Sequence, residues 1–230
     1  MITQIYAFTR VNEIRQAVSA GLDQLGFVVG AYGLVHAELD FDTAASLIRE
    51  VTPPAKSVAL TMSTDTDEIL RMSDAVHPDI IHISTETDAI GIEQMAELRR
   101  KLDPKIKLMK AIGVIDQTSI DDAVRFSPVS DILLLDTKIK QLPGIGATGI
   151  IHDWYISREI VLRCPVPVIL AGGLSPENVA EAIQSVHPWG VDSNTATNLI
   201  GSHFLKDSDR IRAFVEAVHS VQNGDRIESV

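Results

Sequence analysis

The sequence is poor in cysteine, in basic residues and in long apolar runs. Its single cysteine, Cys164, excludes an internal disulfide and with it the class of small disulfide-stapled domains. Acidic residues number 31 against 20 basic ones, so the formal net charge is −11 and the surface repels polyanions. We therefore expect neither nucleic acid nor a membrane among the partners.

The lack of long apolar runs argues against membrane-spanning helices, because the longest runs have the length of a strand and end at Gly, Asp or Ser. The first residues, Met1-Ile2-Thr3-Gln4, lack the basic region and the apolar run of a signal peptide, which predicts a cytoplasmic location. The histidines lack ligand spacing, and Cys164 precedes Pro165 at a predicted strand entrance. We accordingly expect no metal site and no cysteine chemistry.

The sequence does contain a regular alternation of short apolar segments and amphipathic segments of helical period, which is typical of parallel βαβ units. The predicted strands cover 5–9, 25–29, 57–61, 80–84, 108–114, 132–136, 166–171 and 190–193. The predicted helices cover 11–23, 42–51, 66–77, 91–103, 119–127, 153–163, 175–186 and 207–221. An open flavodoxin-like sheet has only about five or six strands. The pattern therefore predicts an α/β fold, a single-domain (β/α)8 TIM barrel over 1–222, followed by a flexible tail over 223–230.

In such a barrel the active site forms at the carboxyl ends of the strands, so polar residues that end apolar segments are the candidates. These candidates are Tyr6, Thr9, His82, Ser84, Lys110, Asp136, Gly172, Gly173, Asp192, Ser193 and Asn194. Asp136 closes the apolar run 132–135, where partial desolvation suits a carboxyl group to proton transfer. We predict that Asp136 is catalytic; the alternative is an Asp that only caps the following loop.

Two neighbouring segments predict a phosphate site. Gly172 and Gly173 stand between a predicted strand and a helix start, where backbone N–H groups and the positive end of a helix attract an anion. Ser193, Asn194 and Thr195 end the next strand, and paired loops after strands seven and eight bind phosphate in many such barrels. A tight turn is the alternative for the glycine pair. We expect a small phosphorylated substrate at these loops.

A glycine-rich loop and a lysine are weaker candidates for substrate contacts. The loop 144–149, with Gly146, Thr148 and Gly149, has enough glycine to close over a ligand. Lys110 ends a strand and could attract phosphate or act as an amine nucleophile. Its stem could equally pack at the rim with the ammonium group in water.

His82 is a candidate for moving protons. It alternates with Ile81 and Ile83, so its imidazole points into the barrel if the isoleucines face the helices. A core histidine with satisfied hydrogen bonds is the alternative. Thr9 and Ser84, which end the first and fourth predicted strands, are candidates for substrate binding.

Several segments in chain order resemble one known family. They are Asp131-Ile-Leu-Leu-Leu-Asp136-Thr137, Gly146-Ala-Thr-Gly149, His152-Asp-Trp154, Leu170-Ala-Gly-Gly-Leu-Ser-Pro-Glu-Asn178 and Val191-Asp192, with 25–28 and 110–114 upstream. Together they resemble the phosphoribosylanthranilate isomerase family over nearly the whole chain. The resemblance implies a barrel and an Amadori rearrangement, in which a phosphorylated aminoaldose becomes an aminoketose without a cofactor. A general acid opens the furanose ring, and a base removes the C2 proton.

The resemblance assigns the acid to Asp136 and the phosphate loops to Gly172, Gly173 and the turn 193–195. The family's base is a cysteine that ends the first strand, and Tyr6 stands at that position here. A phenol, with an ordinary pKa of about 10, is a poor replacement for a thiolate, although it could donate a proton.

The half of the site that holds the anthranilate group in the family also differs. The segment Gly33-Leu34-Val35-His36 lacks the family's arginine, and His82-Ile83-Ser84-Thr85 replaces a Gln-Leu-His-Gly motif. His82 stands where the family has glutamine and is the natural replacement base, since its ordinary pKa lies near neutrality. This pattern is expected if the barrel handles a different phosphorylated sugar.

Four hypotheses follow. The first is an isomerase with an altered phosphosugar substrate, using Asp136 as acid and His82 or Tyr6 as its partner. The second is a genuine phosphoribosylanthranilate isomerase of tryptophan biosynthesis with a relocated base. The third is an aldolase or lyase that forms a Schiff base on Lys110, and the fourth is a barrel that binds phosphosugars without catalysis. A homodimer through the external faces of the barrel stays open.

Overall fold

The structure is a computed structural model that describes residues 1–138 and 151–227. Its barrel strands are β1 (Ile2–Ile5), β2 (Gln24–Val29), β3 (Lys56–Thr61), β4 (Ile80–Ile83), β5 (Lys107–Val114), β6 (Ile132–Thr137), β7 (Val168–Leu170) and β8 (Gly190–Ser193). Each strand pairs in parallel with the next one along the chain, and β1 pairs with both β2 and β8, so the sheet closes. The closed sheet confirms the predicted (β/α)8 TIM barrel.

Helices cover the outside of the barrel. They are α1 (Val11–Ser19), α2 (Phe41–Ile48), α3 (Thr66–Val76), α4 (Ile92–Lys101), α5 (Thr118–Phe126), α6 (Trp154–Arg163), α7 (Val179–Val186) and α8 (Ser208–Ile227). Aspartates begin several of them: the carboxylate of Asp40 accepts the N–H of Thr43 at 2.7 Å, and that of Asp65 accepts the N–H of Asp67 at 2.9 Å. Among the described residues, no helix combines the length and the apolar character needed to cross a membrane.

The core has two layers, one inside the barrel and one between the sheet and the helices. The inner layer contains Val28, Val58, Ile80, Met109, Ile132, Leu134 and Ile169. Ile81, Ile83 and Ile112 belong to the outer layer. Because successive side chains of a strand point to opposite faces, His82 points into the barrel and Lys110 points towards the helices.

The first strand differs from its predicted position. The sequence predicts a strand over 5–9, but β1 spans Ile2–Ile5, and beyond it the N–H of Tyr6 donates to the carbonyl of Ser193 at 3.1 Å. The apolar pattern misses the beginning of β1 because the strand contains the polar residues Thr3 and Gln4, which are both fully buried. Their side chains have partners: Thr3 Oγ1 donates to Asp23 at 2.8 Å, and Gln4 Nε2 donates to Asp192 at 3.1 Å. Buried polar residues with such partners do not follow the apolar pattern used to find strands.

A two-residue strand, Glu38–Leu39, pairs with Val28 and Val29 of β2 beyond the end of β1. At the other end of the chain, α8 extends to Ile227, which lies inside the segment predicted as a tail. The division into a barrel over 1–222 and a flexible tail over 223–230 stays a prediction.

Candidate active site

A cavity of about 520 Å³ opens at the carboxyl ends of the strands. Its polar lining includes Tyr6, His82, Ser84, Asp136, Asp192, Asn194 and Thr195. Its apolar lining includes Val28, Leu34, Val35, Leu60, Met62, Ala111, Leu134 and Phe204. The volume is that of a site for a small organic ligand.

Asp136 lies at the end of β6 with its carboxyl group facing the cavity. The strand ahead of it is buried residue by residue, so the carboxyl group is carried into an apolar environment. This burial raises the pKa of Asp136 to about 7, although the N–H of Thr137, 2.7 Å from Oδ1, acts in the opposite direction. A carboxyl group with such a pKa can give or take a proton near neutral pH.

Asp192, at the end of β8, lines the same cavity as Asp136 and is 7% exposed. Gln4 of β1 donates to its Oδ1 at 3.1 Å. Burial raises the pKa of Asp192 well above its usual range, and the nearby carboxyl of Asp136 adds to this effect. The sequence marks Asp192 as a polar strand end, but nothing in the sequence shows that Gln4 supports it.

The glycine pair after β7 forms a small cleft that opens beside Asp136 and Asp192. Gly172 and Gly173 both have positive φ, +87° and +65°. A Cβ at Gly172 would lie only 2.4 Å from Oγ1 of Thr137, so this position also has no room for a side chain. Among the described residues, the N–H groups of both glycines donate to no protein acceptor.

The helix after the glycine pair begins later than predicted. The sequence predicts a helix from residue 175, but α7 begins at Val179. Residues 175–178 form a turn instead, in which Asn178 accepts the N–H of Ser175 at 2.8 Å and donates to the carbonyl of Gly173 at 3.0 Å. Asn178 therefore joins Gly173 to the turn that precedes α7.

The second predicted phosphate loop closes the other side of the cleft, through Ser193, Asn194 and Thr195. The hydroxyl of Ser193 donates to the carbonyl of Leu174 at 2.8 Å and so joins the two loops. The buried ammonium of Lys206 donates to the backbone carbonyl of Asn194 at 3.0 Å and to its side chain at 3.2 Å. Burial lowers the pKa of Lys206 to about 7, while the carboxyl groups of Asp192 and Glu13 act in the opposite direction. The sequence analysis assigned no role to Lys206.

Tyr6 and His82 form a buried pair inside the barrel. The hydroxyl of Tyr6 lies 2.8 Å from Nδ1 of His82, and Nε2 of His82 is buried with no partner in the described part of the chain. Burial and the charge of Lys110 lower the pKa of His82 to about 3, and burial raises the pKa of Tyr6 well above 10. His82 is thus a weak base near neutrality, and Tyr6 keeps its proton.

Of the predicted substrate-binding residues Ser84 and Thr9, only Ser84 lies at the cavity. Ser84 lines the cavity, and its N–H donates to the carbonyl of Thr61 at 3.0 Å. Thr9 lies ahead of α1, where its N–H approaches the carboxylate of Glu13 at 3.4 Å, and it is not part of the cavity lining. The structure therefore does not bring Thr9 to the candidate site.

Lys110 is also absent from the cavity, contrary to its predicted place beside the substrate. Its side chain is fully buried between β5 and α5, where Nζ donates to the carbonyl of Thr85 and lies 5.6 Å from the ring centre of Phe126. Burial lowers the pKa of Lys110 to about 7. The difference arises because side chains alternate between the two faces of β5, so that Ala111 rather than Lys110 points into the cavity.

The predicted loop with Gly146, Thr148 and Gly149 lies outside the described residues. Over the two described ranges, 1–138 and 151–227, no cluster of three or more His, Cys, Asp or Glu side chains has the arrangement of a metal site.

Comparisons with known proteins agree with this geometry. Residues 4–217 match the family model of N-(5'-phosphoribosyl)anthranilate isomerase. N-(5'-phosphoribosyl)anthranilate isomerase 2 of Methanosarcina mazei is 35% identical over 216 residues, which cover 94% of this chain and 92% of that protein. The enzyme of the same name from Thiobacillus denitrificans is 35% identical over 92% of this chain and 95% of its own length.

Solved structures give the same result. The crystal structure of phosphoribosylanthranilate isomerase from Thermotoga maritima has a TM-score of 0.79 and 26% identity, and the match covers 96% of this chain and 100% of that one. A structure of such an isomerase in complex with reduced 1-(o-carboxyphenylamino)-1-deoxyribulose 5-phosphate shares the fold, with a TM-score of 0.77, 24% identity and coverage of 96% and 100%. The chain therefore belongs to the N-(5'-phosphoribosyl)anthranilate isomerase family.

Proposed function

We propose that this protein isomerises N-(5'-phosphoribosyl)anthranilate to 1-(o-carboxyphenylamino)-1-deoxyribulose 5-phosphate in tryptophan biosynthesis, without a cofactor. The observation that carries the proposal is the position of Asp136, a cavity-lining carboxyl group with a pKa raised to about 7, directly beside the cleft of the glycine pair. A phosphate in that cleft directs the sugar ring towards Asp136.

The curated relatives support this substrate over an altered one. Relatives named for this activity match more than nine-tenths of the chain at about a third identity. The sequence departures at Tyr6 and His82 favoured a changed phosphosugar, but both residues lie in one buried pair that leaves Asp136 and the phosphate cleft intact. A genuine isomerase with a relocated base accounts for both observations.

Some residues of the site bind the substrate, and Asp136 transfers a proton to it. The N–H groups of Gly172 and Gly173 hold the phosphate, with the loop of Asn194 and the charge of Lys206 behind it. Asp136, in its protonated form, donates to the furanose ring oxygen and opens the ring. The apolar lining of the cavity, which includes Leu60 and Phe204, receives the aromatic ring of the substrate.

Two other hypotheses have less support. A Schiff base on Lys110 needs an amine in the cavity, whereas Nζ lies in the helix–sheet layer. A binding protein without catalysis would have no need for a desolvated Asp136, whose burial costs stability. We also propose that the activity is located in the cytoplasm. Assembly of the protein into a homodimer stays a prediction.

Complementation tests the proposed function. A plasmid carrying this chain is expected to restore growth without tryptophan to a bacterial strain that lacks this isomerase, and Asp136→Asn is expected not to restore it. Asp209, which is exposed on α8, provides the matched control, and Asp209→Asn should restore growth. Absence of growth with the expressed, folded wild-type chain would contradict the proposal.

A further inference from the structure

We propose that Asp192 is the general base of this barrel and replaces the thiolate that the chain lacks at Tyr6. The inference rests on the proposed function and deepens it, since it completes the acid–base pair that an aldose–ketose rearrangement needs. It starts from the position of two carboxyl groups: Asp136 and Asp192 are the acidic residues that line both the cavity and the phosphate cleft.

The surroundings of Asp192 indicate a working carboxylate rather than a loop cap. Its oxygen accepts a hydrogen bond from Gln4, an amide that is itself fully buried and comes from the neighbouring strand. Gln4 thereby fixes the direction of the carboxylate at the cavity wall. A buried acid that only stabilised the fold would need no opening to the cavity, yet Asp192 lines it at the point where the phosphate cleft joins.

The groups around the pair affect how its two carboxyl groups share a proton. Asp192 interacts with Gln4 of β1, with Tyr6 just after β1, with Asp136 of β6, and with Lys206 from the segment ahead of α8. Ionisation of either carboxyl group disfavours ionisation of the other, so the pair shares one proton over a range of pH. Burial favours the neutral form of both carboxyl groups, while the amide of Gln4 and the charge of Lys206 act in the opposite direction on Asp192. We assign the shared proton to Asp136, because this group must give it to the ring oxygen in the first step.

The other candidates for the base are poorer. His82 contacts Tyr6 through Nδ1, and burial leaves its pKa at about 3, so it takes up a proton only weakly. Tyr6 would have to lose its proton to act as a base, and burial raises the pKa of its phenol well above the usual value. Lys110 points away from the cavity. Cys164 is a buried thiol between α6 and β7, outside the cavity lining.

The proton transfers balance with these two residues alone. Asp136 gives its proton to the ring oxygen as the C1'–O4' bond breaks, and the anthranilate nitrogen lone pair forms the C1'=N bond. Asp192 removes the proton from C2', and the electron pair moves through C1' to nitrogen, which yields an enolamine. Asp192 then returns a proton to C1', while the C2' hydroxyl gives its proton to Asp136 as the ketone forms. Both residues end in their starting states.

Site variants of the full chain test the inference. Asp192→Asn is expected to lower kcat by about 10²- to 10⁴-fold, the range typical of a lost general base. Its dissociation constant for the reduced product named above is expected to stay within about threefold of wild type, because the amide keeps the size of the carboxyl group. The exposed Asp209→Asn is the matched control and should leave kcat unchanged. His82→Gln should lower kcat by less than about tenfold.

A second variant keeps the inference testable if Asp192→Asn does not fold. Gln4→Met removes the amide that favours the ionised carboxylate, so the acid limb of the kcat/KM profile should move to higher pH. A purely structural role of Gln4 would lower activity without moving that limb, and this result would overturn the inference. A near wild-type kcat in Asp192→Asn would also overturn the inference. A loss of 10²-fold or more in kcat in His82→Gln alone would do the same. Failure of the proposed function itself would be distinct, since wild type would then show no turnover.

Discussion

The hydroxyl of Tyr6 and Nδ1 of His82 lie 2.8 Å apart inside the barrel, and each side chain is almost completely buried. Tyr6 stands at the position that the resemblance gives to the family's cysteine, at the end of the first strand. Gly26 on β2 makes room for Tyr6, because a Cβ there would lie 2.1 Å from the tyrosine ring. The geometry therefore indicates a packed, hydrogen-bonded wall of the cavity.

Removal of the phenol oxygen should cost stability more than activity. Tyr6→Phe leaves Nδ1 of His82 buried without its partner, which costs about 1 to 3 kcal/mol of the free energy of unfolding. Denaturant unfolding measures this cost, and steady-state kinetics should show kcat within about tenfold of wild type. A loss of 10²-fold or more at unchanged stability would instead identify Tyr6 as a catalytic residue.

The pH dependence of turnover should reflect Asp136. Its pKa of about 7 means that the carboxyl group is protonated below neutrality and ionised above it. A general acid must carry its proton, so kcat/KM should fall as pH rises through about 7. The rate measured between pH 5.5 and 9 checks this, and Asp136→Asn should lose both this limb and about 10²-fold or more in kcat. A profile that is flat above neutrality would contradict the role of Asp136 as acid.

Gly172→Ala should weaken phosphate binding and destabilise the fold. The new methyl group would meet Thr137 and would also occupy a backbone with φ of +87°. We expect a loss of about 1 to 3 kcal/mol in stability and a dissociation constant for the reduced product raised about tenfold or more.

Gly21→Ala is the matched control for that variant. Gly21 has a similar φ of +82° but open space around its Cβ position, so it carries the backbone strain without the clash. It should lose about 1 kcal/mol of stability and bind the reduced product normally. Equal binding by both variants would contradict the assignment of the glycine pair to phosphate.

Lys110→Met should stabilise the protein at acid and neutral pH. Burial lowers the pKa of Lys110 to about 7 in the folded state, against 10.5 for an ordinary lysine, so the unfolded chain holds this proton more tightly. The penalty is complete below pH 7 and disappears between pH 7 and about 10.5. The melting temperature of Lys110→Met should therefore exceed that of wild type most at pH 6, and the difference should shrink towards pH 10.

Activity separates this role of Lys110 from a chemical one. Lys110→Met should keep its turnover, and borohydride with a carbonyl substrate should trap no adduct on the wild-type chain. An adduct on Lys110 would support the Schiff-base hypothesis and contradict the position of this side chain.

The fold was predictable because most barrel strands are short, largely apolar runs and the helices between them have an amphipathic period. The position of His82 followed from the two isoleucines beside it, which mark the outer face of β4. Lys110 could not be placed in this way, since Met109 and Ala111 on one face of β5 are as apolar as Leu108 and Ile112 on the other. A strand covered on both faces gives no sign of which residues point inwards.

The details of the site depend on contacts between residues far apart in the sequence. The bond from Gln4 to Asp192 joins residues 188 positions apart, and the burial that lowers the pKa of His82 exists only in the closed barrel. The need for glycine at Gly172 comes from Thr137 on the preceding strand. None of these relationships leaves a local pattern in the sequence.

The most direct test of the proposed function is turnover of N-(5'-phosphoribosyl)anthranilate by the purified protein, followed by NMR in deuterium oxide. We predict formation of 1-(o-carboxyphenylamino)-1-deoxyribulose 5-phosphate with one deuterium at C1', because the protein residues that return the proton exchange with solvent. Other pentose phosphates should give no product. Absence of the aminoketose from a folded enzyme that binds the substrate, or turnover of a different phosphosugar alone, would contradict the proposed function.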